Sequence, residues 1–422
     1  MKKKCLYGVM AIFLFLSLAA SADAEETLSW VDCIKEAQKN NPALISAEEG
    51  IKSSEASKKI TASTLFPQID SSVSFSRAKS SGKTNNTYGY SLSGTQLLFD
   101  GFKTGANVQG AAENLKATQY GYRYTSSQVR YRLRSAFINL LRAQELIKVA
   151  TDIVKIRRDN LALITLRYES GLEHRGAKLN SEANLAAAEF DRAQAQRSLE
   201  VAQRQLTKEM GRTDFLPMLV KGDFVLADAV KEKPDFESLA KVNPSLLQLI
   251  AQENAAGLGI KSAKANFYPT FSAQGGAGET GSHWPPEGGH WNTGVTMTLP
   301  LFEGGLRTAQ LDQARALFNQ AQANKRSGND SVVVTLEQTW VALQDAVEQV
   351  EVQHKSLLAA EERAKIGEAQ YSVGFLSYDN WSILEDNLVQ AKKAYLDAQA
   401  NALLAHANWI QAKGETLEYA QN

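Results

Sequence analysis

Cysteine, proline and long apolar runs are all scarce in this chain. Its only cysteines are Cys5 and Cys33, too few for a disulfide framework, so stability has to come from packing. No proline lies between Pro67 and Pro217, and none follows Pro300. Two long tracts are therefore free of the strongest helix breaker. An excess of either charge is also missing: 46 basic side chains balance 46 acidic ones, which offers nothing to a nucleic acid. Beyond the N-terminus no stretch suits a membrane helix, since even Ala136 to Val154 carries Arg142, Glu145, Lys148 and Asp152. If the protein spans a membrane, it must do so with strands.

The N-terminus runs Met1-Lys2-Lys3-Lys4, then apolar from Leu6 to Leu18, then Ala22-Asp23-Ala24. That order predicts a secretory signal peptide over residues 1–24, cleaved after Ala24. The apolar stretch of about 13 residues falls short of the roughly 20 that cross a bilayer. Cys5 precedes it and Cys33 lies well beyond it, so neither is placed for lipidation.

What the chain has is an internal repeat. Asn41-Pro42-Ala43-Leu44 returns as Asn243-Pro244-Ser245-Leu246, and Phe66-Pro67 as Tyr268-Pro269, displaced by 202 positions. At a displacement of 203, Leu98-Phe99-Asp100-Gly101 returns as Leu301-Phe302-Glu303-Gly304, Phe137 as Trp340, Tyr168-x-x-Gly171 as Tyr371-x-x-Gly374, and Gly211 as Gly414. The chain divides into a first repeat over 25–211, a linking segment over 212–241, a second repeat over 242–414 and a tail over 415–422.

Within each repeat the proline-free tract is rich in Ala, Leu, Gln, Glu, Lys and Arg, the good helix formers. Val129, Leu133, Phe137, Leu140, Leu141, Val149, Ile153 and Ile156 recur at spacings of three and four, one buried stripe on a polar helix. Lys103 to Tyr168 predicts a helix of roughly 100 Å, and Leu306 to Tyr371 a second of equal length. Such lengths imply coiled-coil-like packing. Each helix is interrupted once, at 168–175 and 371–378, where a glycine suits a left-handed C-terminal turn. A second helical pattern follows each glycine, to Gly211 and Gly414. Between the helical tracts the period changes to two: Val73 and Phe75 alternate with serines, as do Tyr88, Tyr90 and Leu92 with Gly89, Ser91 and Ser93. Phe271 to Ala277 and Trp291 to Leu301 repeat the pattern. Two strand hairpins are predicted, at about 66–99 and 268–302, with strands long enough to cross an outer membrane.

Four strands cannot close in lipid without leaving edge groups unsatisfied, so a barrel must be shared between chains. Two chains would give eight strands and a filled lumen, three would give twelve and room for water. Here the sequence resembles the TolC-type outer-membrane efflux and secretion channels, on the Asn-Pro-x-Leu openings, the Phe66-Pro67 and Tyr268-Pro269 strand starts, the Phe99-x-Gly101 and Phe302-x-Gly304 strand ends, and the Tyr-x-x-Gly tips. The resemblance implies a mainly α fold with membrane β. In it the duplicated unit forms a homotrimer, with a 12-strand β-barrel continuous with a 12-helix periplasmic α-barrel. It implies a passive exit duct in the outer membrane of a Gram-negative bacterium, serving tripartite efflux or type I secretion. Its partners would be outer-membrane lipid, a periplasmic adaptor (membrane fusion) protein and an inner-membrane pump of RND or ABC type. It places the 212–241 segment and the chain end in a belt around the helices.

Site residues follow from the same resemblance. Tyr168, Gly171, Leu172 and Glu173 in one tip, with Tyr371, Gly374, Phe375, Leu376 and Ser377 in the other, are expected to dock the adaptor, the residues beside the turns being exposed. The family's acidic run after the second tip is displaced here, reading Phe375 to Asp386, which makes Asp379, Glu385 and Asp386 the candidate pore-entrance carboxylates. Symmetry would turn any axial carboxylate into a ring that favours cations.

Other motifs carry less. Gly276-Ala277-Gly278-Glu279-Thr280-Gly281 matches a dinucleotide-binding pattern, but His283-Trp284-Pro285-Pro286 cannot open the helix that pattern needs. His283 and His290 lack the further ligands of a metal site. His174, His354 and His406 read as structural. No Ser/His/Asp, metal or phosphate constellation has a workable spacing, so no enzyme, cofactor or metal is expected. The competing reading is an exported periplasmic or surface coiled-coil structural protein without a pore, which leaves the paired strand hairpins unexplained.

Overall fold

A computed structural model describes residues 26–224 and 232–418. The expected signal peptide, part of the linking segment and the last residues of the tail lie outside them. Two helices dominate: α3 (Lys103–Glu169) and α7 (Leu306–Ser372), each of 67 residues, or about 100 Å long. Shorter helices flank them. On α3 lie α2 (Pro42–Ser63) and α4 (Arg175–Met210); on α7 lie α6 (Pro244–Ala265) and α8 (Tyr378–Ala412). Because α3 also packs on α6 and α8, the helices form one wall. Its order is α2, α3, α6, α7 toward one end and α4, α3, α8, α7 toward the other.

The repeated Asn-Pro and glycine signatures meet where the short helices abut. Asn41 caps α2 by accepting from the Ala43 N–H at 3.0 Å, and its amide donates to the Glu209 carbonyl at the end of α4 at 2.8 Å. Asn243 does the same for Ser245 and for the Ala412 carbonyl of α8, at 3.0 and 2.9 Å. Proline at the first helical position costs no hydrogen bond there. Gly211 and Gly414 end α4 and α8 at φ 80° and 77°. A Cβ on Gly211 would strike the Asn40 carbonyl, and one on Gly414 the Pro244 ring. Each signature is thus one half of a joint.

Short elements pack beside these joints, in the region where a belt is expected. In it α1 (Trp30–Asn40), α5 (Phe236–Val242) and the parallel pair β1 (Glu26–Leu28) with β4 (Met218–Val220) pack across the wall. The main core joins Cys33, Ile34, Leu133, Phe137, Leu140, Met210, Met218 and Leu417. Burial pushes the Cys33 thiol up to about 12, so it stays protonated and inert.

At the far end from the tips four strands form one antiparallel sheet ordered β2 (Gln68–Ser80), β3 (Lys83–Phe99), β5 (Thr270–Gly281), β6 (Gly288–Thr298). Register and alternation put Val73, Phe75, Tyr88, Tyr90, Leu92, Ala277, Trp291 and Val295 on one face. Ser72, Ser74, Gly89, Ser91, Ser93, Gln274, Asn292 and Thr296 take the other. One face is therefore mainly apolar, with Arg77 and Glu279 on it toward the loop end, and one polar. Phe75, Tyr88, Tyr90 and Trp284 cluster at the loop end of the apolar face, with ring centroids 4.8 to 6.4 Å apart, like the aromatic girdle of a membrane strand. Among the described residues the outer edges of β2 and β6 pair with no further strand.

Candidate functional site

The two tips share one turn. Gly171 and Gly374 take φ 73° and 85°. Their N–H groups donate to Tyr168 and Tyr371 carbonyls, while Leu172 and Phe375 N–H groups reach back to Arg167 and Gln370 at 2.8 and 2.9 Å. This is the left-handed helix end that glycine permits. A Cβ on either glycine would meet nothing within 4 Å, so only the backbone angle demands glycine. His174 then caps α4 through Nδ1, and Ser377 caps α8.

Side chains tie one tip to the other. The Tyr371 ring stacks on Trp381 at 4.6 Å with an interplanar angle of 1°. Its hydroxyl donates to Glu173 at 2.8 Å, and the Arg167 guanidinium lies 4.7 Å from the ring centroid. Burial, then the Glu173 carboxylate, raises Tyr371 well above the usual phenol range. Ile164, Ala177 and Tyr378 complete this small core, and Tyr378 meets Ser181 at 3.1 Å. Arg167 also donates to the Ser372 carbonyl at 3.2 Å.

The expected site residues therefore part company. Leu172, Gly374, Phe375, Ser377 and Asp379 are exposed, and Leu376 is half-buried. Glu173 was expected beside them in solvent, but its side chain is largely covered because it accepts from Tyr371. Tyr371 itself is core. Glu385, expected among the entrance carboxylates, is buried and accepts from Asn160 of α3 at 3.1 Å. Burial raises its carboxyl above the usual range, opposed by Asn160 and Arg157. Its neighbour Asp386 remains half-open and accepts from Arg157 at 2.5 Å. Arg157, Asn160, Arg167, Tyr378 and Trp381 were not foreseen. The signal available was the unusual density of aromatics at Tyr371, Phe375, Tyr378 and Trp381.

Elsewhere, the glycine pattern at 276–281 falls within β5 with no helix after it. A Cβ at Gly278 would hit the Tyr90 carbonyl, so that glycine serves close strand approach. No group of three metal-ligating side chains occurs among the described residues.

A sheet with a mainly apolar face, aromatic at its loop end, on a wall of helices about 100 Å long has the build of an outer-membrane strand protein with a helical extension. The chain belongs to the Outer membrane efflux protein family, whose model matches residues 33–212 and 237–415. It is 23% identical over 430 residues to Outer membrane efflux protein BepC of Brucella suis biovar 1 (strain 1330), covering 98% of this chain and 91% of that one. To Outer membrane protein TolC of Escherichia coli (strain K12) it is 23% identical over 431 residues, covering 96% and 86%. Its fold matches the crystal structure of the outer membrane protein VceC from Vibrio cholerae with a TM-score of 0.80 at 18% identity, covering 91% and 96%. It is thus a Gram-negative outer-membrane protein with a long periplasmic helical portion.

Proposed function

We propose that this chain is one third of a homotrimeric exit duct. Three four-stranded sheets would close a 12-strand barrel in the outer membrane, continuous with a 12-helix periplasmic barrel. An inner-membrane pump of RND or ABC type and a periplasmic adaptor would deliver substrates, for efflux or type I secretion, and the duct would do no chemistry. The observation that carries this reading is the pair of unpaired edges on β2 and β6. Lipid offers no hydrogen bonds to satisfy them, so closure by further copies is required. The repeat boundaries, the signal peptide over 1–24 and the belt belong to the same proposal.

At the other end, the exposed Leu172, Phe375 and Ser377 would dock the adaptor, with Gly171 and Gly374 setting the turns. Of the three candidate entrance carboxylates, Asp379 and Asp386 are the exposed ones and would ring the entrance. Glu385 would act from within the protomer. The test of the assembly is disulfide trapping. Val73→Cys in β2 is combined in turn with Thr293→Cys, Val295→Cys or Met297→Cys in β6, all on the apolar face. Cys33 can stay because it is buried. Oxidation should yield a ladder ending at three chains for at least one pair. A ladder ending at two, or none in any pair, would overturn the trimer.

A further inference from the structure

Beside the belt, between α3 and α8, lies a cavity of about 160 Å³ lined by Trp30, Arg130, Tyr131, Arg134, His406 and Gln411 with their neighbours. It lies apart from both the strand sheet and the helical tips. Its charge is one-sided. Arg130 shares the Glu415 carboxylate with Lys413, at 3.0 and 2.5 Å. Glu418 is turned to the hydroxyls of Tyr122 and Ser126. Arg134 pairs with no carboxylate among the described residues. Its guanidinium sits 4.8 Å from the Trp30 ring centroid and 5.4 Å from that of Phe137. Those contacts use the ring faces and leave the N–H donors of the fork without a protein acceptor among the described residues.

Among the described residues, Arg130 and Arg134 thus line the cavity with Lys413 near them, and Glu415 is the carboxylate that pairs with Arg130 and Lys413. A covered charge is normally paired and hydrogen-bonded, because its desolvation otherwise goes uncompensated. His406 lines the same cavity, where burial first, and then the Arg134 and Lys413 charges, hold it below the ordinary histidine range. We propose that this pocket binds a small oxyanion, a phosphate or carboxylate group, held by the Arg134 fork with help from Arg130 and walled by Trp30. Arginine matches both groups bidentately, where lysine offers a point charge. The volume limits the ligand's size. Sites for drug-sized molecules span roughly 300–1,000 Å³, so this pocket takes a single anionic group and not transported cargo. The inference does not depend on the assembly or on the docking of an adaptor.

Inorganic phosphate is the probe, titrated against the full-length protein in detergent with ionic strength held constant by sodium chloride. Trp30 emission and the thermal midpoint are the readouts. Wild type should show a saturable fluorescence change and a rising midpoint. Arg134→Met should bind at least about tenfold more weakly, the loss expected for one charge-assisted fork. Arg134→Lys, which keeps the charge, should fall between them and serves if the methionine variant does not fold. Histidine NMR adds a second readout, since a bound anion should raise the His406 midpoint. No saturable response in wild type, or equal binding in wild type and both variants, would overturn the site.

Discussion

The two long helices have the same length and arise from the same repeat, yet they live in different surroundings. Eighteen residues of α3 are buried against seven of α7. Positions equivalent by the repeat diverge sharply: Ile138 is 0% exposed and Val341 is 44% exposed. The reason is position in the wall. α3 packs on four long helices, α2, α4, α6 and α8, whereas α7 packs on two, α6 and α8, besides the short α5. Val334, Val341, Val352, Leu358 and Ile366 are left uncovered along α7. An apolar stripe of that length on a helix is expected to be covered in the assembled state. On the proposed assembly, duplication gave one helix that completes the protomer and one that would join it to the next.

The largest effects should separate these roles. Ile138→Ala empties a buried site and should cost about 2–5 kcal/mol, read as loss of chain level through proteolysis. Val341→Ala should stay within about 0.5 kcal/mol for the protomer itself. Equal loss of chain level in both would show that Val341 is covered within one chain, and the contrast would collapse. Charging the stripe sharpens it further. Val341→Asp with Val352→Asp should leave the level of folded chain unchanged while oligomers resistant to mild SDS disappear. Retention of those oligomers would put the stripe in solvent and not at a protomer boundary.

The tips offer the same contrast at smaller scale. Tyr168 is 37% exposed and its repeat mate Tyr371 is 1% exposed. Among the described residues the Tyr168 ring meets Lys178 at 5.6 Å from its centroid, while Tyr371 carries a stack, a cation and a carboxylate. Tyr371→Phe should cost about 1.5–3 kcal/mol, the worth of a hydrogen bond to a charged group. Tyr168→Phe should be nearly silent. Urea titration followed by Trp381 fluorescence distinguishes them, and equal shifts would mean that the Glu173 contact contributes nothing.

Much of this architecture was legible because it rests on local rules. The first long helix was expected over Lys103 to Tyr168 and runs Lys103–Glu169; glycine at a left-handed end and alternation in the strands were equally readable. What escaped the sequence depends on meetings between distant segments. Asn41 and Gly211 were both visible as repeated residues, but not that the asparagine amide reaches Glu209 beside that glycine. At the tips the repeat relates positions that do not share their surroundings. Trp381 has Lys178 at its repeat position, and Tyr378 has Arg175, so one tip could build an aromatic core and the other could not. Glu173 and Glu385 were drawn into cover by partners that no spacing rule connects to them.

Glu385 carries the smallest expected effect and the one that most directly tests burial at the tip. Its repeat mate Glu182 is exposed. Burial raises the Glu385 carboxyl, while the Asn160 hydrogen bond and Arg157 oppose that, and Glu368 and Asp386 add to it. A carboxyl raised in the folded state binds its proton more readily there than in the unfolded chain. Between the unfolded and folded pKa values the native state therefore holds more protons, and stability falls as pH rises through that window. At neutral pH the ionised carboxylate works against the folded tip, only partly offset by Asn160 and Arg157. Hydrogen exchange of the amides in 378–390, corrected for intrinsic rates, should show protection declining as pH climbs above the ordinary glutamate range. Glu385→Gln keeps the contact with Asn160 without the charge. It should raise protection at neutral pH and flatten the dependence, while Glu182→Gln leaves the wild-type profile unchanged. An unchanged slope in Glu385→Gln, or the same flattening in Glu182→Gln, would mean that burial at this position does not set the tip's response to pH.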